Sequence, residues 1–149
     1  MTVVLDPAPA KKIPSEIAKL VDYVKPNETE AEILTGIKVT DKESAKKALI
    51  ALKKLGFKVP IISLGKIGSM VYDGEHFDFY PVFDVNSIDT TAAGDIFLAG
   101  FTVALSEGNS TSYSMNFASV AAALSTMKRG AQSSIPLLAD IKKQLEKKN

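Results

Sequence analysis

The spacing of apolar and polar residues changes several times along the chain. Three short apolar runs, TVVL from Thr2, YV from Tyr23 and IISL after Pro60, are typical of buried strands. Apolar residues at helical spacing between and after these runs predict helices. Those helices begin at Ser15, after Asn27, after Asp41, at Gly94, at Ser110 and at Leu137, and several end at a glycine such as Gly36 or Gly56.

The stretch SMVYDGEHFDFYP shows a different pattern, two alternating segments on either side of Asp73-Gly74. This dipeptide predicts a hairpin closed by a two-residue turn. Strands that alternate with helices favour a mostly parallel sheet with helices on both faces, and the hairpin then lies at one edge. We therefore expect a three-layer α/β/α fold, with residues 1–149 forming a single α/β domain.

Composition narrows the function classes. The formal net charge is +1, so nothing in it points to nucleic acid or an anionic membrane as a partner. The chain has no cysteine, which excludes disulfides, thiolate metal sites and cysteine nucleophiles and fits a cytoplasmic protein. No signal peptide or membrane-spanning run is evident in the sequence.

The stretch SIDTTAAGDIFLAGF places two carboxylates around a turn of small residues, directly before an apolar helix. Ala92, Ala93 and Gly94 allow close approach to the backbone, and the free amides at a helix start favour an anion such as phosphate. Asp95 stands beside this site, where a carboxylate can take the proton of an attacking hydroxyl. Asp89 lies before the turn and would shape the loop or hold a cation. The alternative is that the whole segment is an ordinary helix cap.

The segment DTTAAGDIFLAGF closely resembles the motif of ribokinase-like sugar kinases, the PfkB carbohydrate kinase family. The resemblance runs in order along the chain, through DPAPA, KPNETEAEILTG, ISLGKIGSMVY and KRGAQSSIP. It implies a ribokinase-like fold and ATP-dependent phosphorylation of a sugar hydroxyl, most directly ribose to ribose 5-phosphate. Asp95 is then the catalytic base, while Ala92, Ala93 and Gly94 form the anion hole.

The same resemblance implies sites for ATP and two metal ions. Asn27 would contact the ATP phosphates, and Glu30 would help to place Mg²⁺ through water, whereas the residues alone favour a helix cap and a solvated carboxylate. The segment that borders the nucleotide would be Ser63, Leu64, Gly65, Lys66, Ile67 and Gly68, which taken alone is an ordinary turn between strands. Ser119 replaces a histidine that relatives often carry near the adenine. A potassium site would use Asp89, Thr91, Ser125, Lys128, Gly130 and Ser134.

Members of this family are about twice as long, and the chain resembles only their C-terminal half. The resemblance therefore implies that the N-terminal half, which selects the sugar and carries a β lid, is missing. We expect an apolar edge at the first strand, and hence self-association or association with that half. The alternatives are an inactive nucleotide-binding module, half of a split kinase, or a kinase of a nucleoside or pyrimidine alcohol.

Overall fold

The predicted apolar runs form the parallel strands β1 (Val4–Leu5), β2 (Tyr23–Val24) and β3 (Val59–Ser63) in a computed structural model that describes residues 1–148. Strands β4 (Gly68–Tyr72) and β5 (Phe77–Pro81) complete a five-stranded sheet in the order β1-β2-β3-β4-β5. Strand β4 runs antiparallel to β3, with Ile62 opposite Met70. The sheet is therefore mixed, and its hairpin lies at one edge as predicted.

The helices of this part of the chain are α1 (Ser15–Ala18), α2 (Glu28–Thr35) and α3 (Lys42–Leu55). Helix α3 begins at the cap residue Asp41 and ends at Gly56, whose φ of 119° is left-handed. Its buried face carries Leu49 and Leu52, which share a core with Met70 of β4. Full burial of one such side chain stabilises the fold by roughly 1.5–3 kcal/mol.

Three further helices follow the sheet: α4 (Ala93–Ser106), α5 (Thr111–Ser125) and α6 (Leu138–Lys148). Their shared core includes Ile96 of α4, Phe117 of α5 and Ile141 of α6. A Cβ added at Gly100 would lie 3.3 Å from the Cβ of Ala121, so α4 and α5 pack closely at this point.

The chain forms two compact units, Met1–Phe79 and the segment from Tyr80 onward. Each has its own apolar core. That residues 1–149 form one domain equivalent to the C-terminal half of a ribokinase-like kinase stays a prediction.

Three details of the predicted elements are wrong. Helix α1 has only four residues, and Ile17 and Leu20 are exposed instead of lying on one buried helical face. Helix α4 is not buried on nearly every side, since Val103 is 47% exposed. Four residues connect the hairpin strands because the Asp73 carboxylate accepts hydrogen bonds from the amides of Glu75 and His76, 2.7 Å from each.

Within residues 1–148, every helix is too short or too polar to cross a bilayer.

Candidate active site

The turn before α4 ends in a residue with unusual backbone geometry. Ala92 is the N-cap of α4 and has φ 61° and ψ 10°, the left-handed conformation that a residue with a Cβ seldom adopts. Its carbonyl accepts the first helical hydrogen bond, from the amide of Ile96 at 2.9 Å. Short, apolar Ala92 provides no side-chain cap, so the first turn of the helix keeps its amides available.

Those amides are not equivalent. The amide of Ala93 donates to the carbonyl of Thr90 at 3.2 Å, which closes the turn. The amides of Gly94 and Asp95 donate to no acceptor among the described residues. The donors that an anion would meet at the start of α4 are therefore those of Gly94 and Asp95, whereas the predicted anion hole of Ala92, Ala93 and Gly94 includes one amide that is already engaged.

Asp95 lies in the first turn of α4 with an exposed side chain. Its carboxylate makes no hydrogen bond or ion pair with any described residue, and it does not turn into the core formed by Ile96 and its neighbours. An ionised carboxylate beside the positive end of a helix is electrostatically favourable. Asp95 is thus free to accept a proton from a bound molecule.

Asp89 connects two loops of the second unit. One carboxylate oxygen accepts from the Thr91 amide at 2.9 Å and the Thr91 hydroxyl at 2.6 Å, and the other accepts from the Gly130 amide at 3.1 Å. The Thr91 hydroxyl, the Thr91 amide and the Gly130 amide, in that order, lower the pKa of Asp89 to about 2. The carboxylate is therefore ionised at neutral pH.

The backbone joins the same two loops. The carbonyl of Thr126 accepts from the amides of Ile88 at 2.7 Å and Asp89 at 3.0 Å. Thr126 is buried and was not among the predicted site residues. Nothing in the sequence identifies it, because its contribution is a main-chain carbonyl placed by the fold.

The residues predicted to hold potassium therefore lie partly together. Asp89, Thr91 and Gly130 are in direct contact, while the hydroxyls of Ser125 and Ser134 are buried and donate to the carbonyls of Ala122 and Ala131. Lys128 is exposed. The carbonyls of Thr91, Lys128 and Gly130 accept no hydrogen bond from the described residues. Unsatisfied carbonyl oxygens are hard ligands, so this donor set fits a monovalent cation.

In the first unit, Asn27 and Glu30 form a reciprocal cap at the start of α2. The Glu30 amide donates to Asn27 Oδ1 and the Asn27 amide donates to Glu30 Oε2, each at 2.8 Å. The helix cap that was predicted for Asn27 without the family resemblance is therefore present. It leaves the Asn27 side-chain NH₂ and Glu30 Oε1 without a partner among the described residues, and these atoms fit a phosphate oxygen and a water of a hydrated Mg²⁺.

The predicted nucleotide segment lies next to this cap. Asn27 pairs with Ser63 as an isolated parallel bridge, so both lie where neighbouring strands end. Residues Gly65–Ile67 form a short 3-10 turn, and Gly65 and Gly68 have φ values of 52° and 135°. A Cβ at Gly65 would lie 3.3 Å from the Glu28 carboxylate. The segment from Ser63 to Gly68 therefore borders the start of α2, with Lys66 and Ile67 exposed and Leu64 buried.

Ser119 lies on α5 in the second unit and is half-buried. The described residues contain no group of three or more histidine, cysteine, aspartate or glutamate side chains that could hold a metal ion. A metal site among the described residues would therefore use at most two such side chains, together with carbonyls, hydroxyls or water.

The model of the pfkB family of carbohydrate kinases matches residues 1–138. The chain belongs to this family. The open start of α4 and the reciprocal cap of α2 therefore occur in a pfkB family chain. They lie on the segments DTTAAGD and KPNETEAEILTG, which carry the resemblance.

Two ribokinases are similar to almost the whole of this chain. The ribokinase of Staphylococcus aureus is 42% identical over 142 residues, covering 95% of this chain and 47% of its own length. The ribokinase of Haemophilus influenzae is 47% identical over 134 residues, covering 90% of this chain and 44% of its own. The chain thus spans about half the length of the curated relatives that it matches.

Solved structures show the same fold and the same partial coverage. The ribokinase of Arabidopsis thaliana, complexed with ribose and ATP, has a TM-score of 0.92 and 35% identity, covering 98% of this chain and 48% of its own. The ribokinase of Thermotoga maritima has a TM-score of 0.88 and 40% identity, covering 97% and 49%. The fold is therefore ribokinase-like, a pfkB family fold represented here by about half of its usual length.

Proposed function

We propose that this chain is the nucleotide-binding and phosphoryl-transfer half of an ATP-dependent sugar kinase, with ribose as the sugar and ribose 5-phosphate as the product. The observation that carries the proposal is the pair of open amides at Gly94 and Asp95, beside the Asp95 carboxylate, none of which has a partner within residues 1–148. Family membership and the relative solved with ribose and ATP support the reaction class.

In the proposed reaction Asp95 accepts the proton of a sugar hydroxyl as that oxygen attacks the terminal phosphorus of ATP. The bond between this phosphorus and the bridging oxygen of ADP breaks, and ADP leaves. The amides of Gly94 and Asp95 stabilise charge on the transferred phosphoryl group. Positioning and electrostatic stabilisation of this kind supply most of the catalysis in phosphoryl transfer.

The first unit would hold the nucleotide. The free NH₂ of Asn27 would donate to a phosphate oxygen, and the segment Ser63–Gly68 would border the adenosine, because its glycines permit close approach. A Mg²⁺ hydrated near Glu30 would neutralise phosphate charge, and a K⁺ near the carbonyls of Thr91 and Gly130 would favour an anion at α4.

Sugar selection would come from a polypeptide equivalent to the other half of the relatives. Strand β1 offers a place for it, since β1 is the last strand at one end of the sheet within residues 1–148. The carbonyls of Val3 and Leu5 accept from the amides of Tyr23 and Lys25 on the β2 side. The backbone groups of Val4 therefore point to the open edge, where a further strand would pair.

A nucleotide-binding module without turnover is the second candidate. It is favoured by the position of the proposed nucleotide contacts, because Asn27 and the segment Ser63–Gly68 lie together in the first unit, which has an apolar core of its own.

A sugar-kinase assay separates the two functions. The chain is mixed with the N-terminal half of a ribokinase relative, and turnover on ribose is compared for the unaltered chain, Asp95→Asn and the control Asp84→Asn, which removes another exposed carboxylate. We expect Asp95→Asn to lower kcat by about 10²–10⁴-fold and Asp84→Asn to leave it unchanged. ATP binding without turnover on any sugar tested would favour the binding module.

A further inference from the structure

The carboxylate of Asp89 holds the turn before α4 against the loop after α5. Its two oxygens accept three hydrogen bonds, two from Thr91 at 2.9 and 2.6 Å and one from Gly130 at 3.1 Å. The Thr126 carbonyl adds two more bonds between the same segments. We call this set of contacts the Asp89 clasp.

All three partners of the carboxylate are donors, so the clasp requires an acceptor on both sides of the Asp89 side chain. An asparagine offers one oxygen and one NH₂ group. If its oxygen keeps the Thr91 bonds, its NH₂ faces the Gly130 amide, and two donors then oppose each other. Asp89→Asn therefore removes the link between the loops while keeping the size of the side chain.

Gly130 is adapted to its part in the clasp. Its φ of 89° is left-handed, and an added Cβ would lie only 2.7 Å from the Ser133 hydroxyl. The loop is thus folded tightly where it presents its amide to Asp89.

The clasp restrains the backbone next to Ala92, the N-cap of α4. Thr91, which the carboxylate holds twice, directly precedes Ala92 with its left-handed φ of 61°. This conformation is unfavourable in a residue with a Cβ and persists only where the surroundings enforce it. We infer that Asp89 is a positioning residue, whose carboxylate keeps Ala92 left-handed and the Gly94 and Asp95 amides open to a phosphoryl group. The last part of this inference rests on the proposed function.

The conformational part is tested without ligand, by NMR of the 149-residue chain. The one-bond Cα–Hα coupling of Ala92 distinguishes positive from negative φ, and hydrogen exchange reports protection of the Gly130 amide. In Asp89→Asn we expect the coupling to leave its left-handed value and Gly130 to exchange roughly tenfold faster. Asp84→Asn removes a charge nearby in sequence and should change neither. Unchanged coupling and exchange in Asp89→Asn would overturn the inference.

Variants of Thr91 separate positioning from general destabilisation. Thr91→Val removes the 2.6 Å hydroxyl bond and should shift the Ala92 coupling in the same direction as Asp89→Asn. Thr91→Ser keeps a hydroxyl, so this variant should show the same Ala92 coupling as the unaltered chain. A Thr91→Val chain that loses stability but retains the original coupling would contradict the clasp.

The ligand part uses the ATP analogue AMP-PNP with Mg²⁺, followed at the amides of Gly94, Asp95, Gly65 and Gly68. In Asp89→Asn we expect the affinity reported by Gly94 and Asp95 to fall about tenfold, while Gly65 and Gly68 still respond. Equal affinity in both chains would overturn the positioning role. If Gly94 and Asp95 do not respond in the unaltered chain, the proposed function fails, and the clasp is decided by the ligand-free measurement alone.

Discussion

At the start of α4, the residue in the cap position has no side chain that could cap the helix. A cap residue normally uses a polar side chain to satisfy the first amides, yet Ala92 cannot do so and is held in a left-handed conformation. The polar side chain that would cap, Asp89, instead bonds to Thr91 and Gly130. The capping alternative considered from the sequence is therefore not what the residues form here.

The ionisation of Asp89 makes stability depend on pH. Its pKa is lowered from 3.8 to about 2 in the folded chain, chiefly by the Thr91 hydroxyl and amide. The unfolded chain then binds more protons in this interval, so the stabilisation is present above pH 3.8 and is lost as the pH falls toward about 2. We expect the urea midpoint of the unaltered chain to drop between pH about 5 and about 2.5, and that of Asp89→Asn to drop less.

Other carboxylates also make the stability depend on pH, so the contribution of Asp89 is the difference between the unaltered chain and Asp89→Asn. A hydrogen bond from Lys58 is the largest cause that lowers the pKa of Asp22. For Asp41 the largest cause is a hydrogen bond from Ser44, and for Asp73 it is a hydrogen bond from His76. Parallel pH profiles for the two chains would show that Asp89 contributes nothing to acid sensitivity.

At the scale of elements, the two helices of the first unit with reciprocal caps have the boundaries that the sequence predicts. Helix α2 begins after Asn27 and ends at Gly36, and α3 begins after Asp41 and ends at Gly56. Both caps are local contacts between residues three apart, so they need no tertiary partner. The start of α2 is also the segment for which we propose contact with phosphate.

Substitution of Asn27 distinguishes its two roles. Asn27→Asp keeps an acceptor for the Glu30 amide and should preserve stability, whereas its negative charge should weaken ATP binding. Asn27→Ala should lose both, with a stability cost of about 0.5–2 kcal/mol. Urea unfolding and isothermal titration with ATP measure the two effects. ATP affinity that is equal in Asn27→Asp and the unaltered chain would leave Asn27 with the cap alone.

The contact between α4 and α5 gives a second prediction for elements. A Cβ at Gly100 would lie 3.3 Å from Ala121 and 3.4 Å from Ala118, so Gly100→Leu should force the helices apart. We expect a cost of about 1–3 kcal/mol in urea unfolding. Ala99→Leu, at the neighbouring exposed position of α4, is the matched control and should change stability by no more than about 0.5 kcal/mol. Equal effects of the two substitutions would contradict the close packing.

At the scale of the whole molecule, the chain matches about half the length of its relatives. Among residues 1–148, no strand pairs with the outer edge of β1. Ile17 and Leu20, in the connection from β1 to β2, are 51% and 66% exposed. Exposed apolar side chains and an unpaired edge favour association with another polypeptide. Both features belong to the first unit.

We therefore expect the isolated chain to self-associate at high concentration, and the N-terminal half of a ribokinase relative to compete with this association. Leu20→Lys should shift the sedimentation profile toward monomer, because it places a charge among exposed apolar groups. Ile33→Lys changes a similarly exposed isoleucine on α2 and should have less effect. A monomer at every concentration in analytical ultracentrifugation would count against the open edge as an interface.

The sequence by itself determined what depends on near neighbours. The caps at Asn27 and Asp41, the stops at Gly36 and Gly56, and the hairpin of β4 and β5 follow from spacing, because each involves residues a few positions apart. The motif around Asp95 was sufficient to indicate the family.

Only the tertiary structure decided the contacts between distant segments. The Asp89 bond to Gly130 spans 41 positions, and the carbonyl of Thr126 has no side-chain pattern that could reveal it. The left-handed Ala92 and the engaged amide of Ala93 follow from how these loops meet. Local spacing fixes where a helix starts, whereas the donors that remain free at its start depend on which distant groups the fold brings to them.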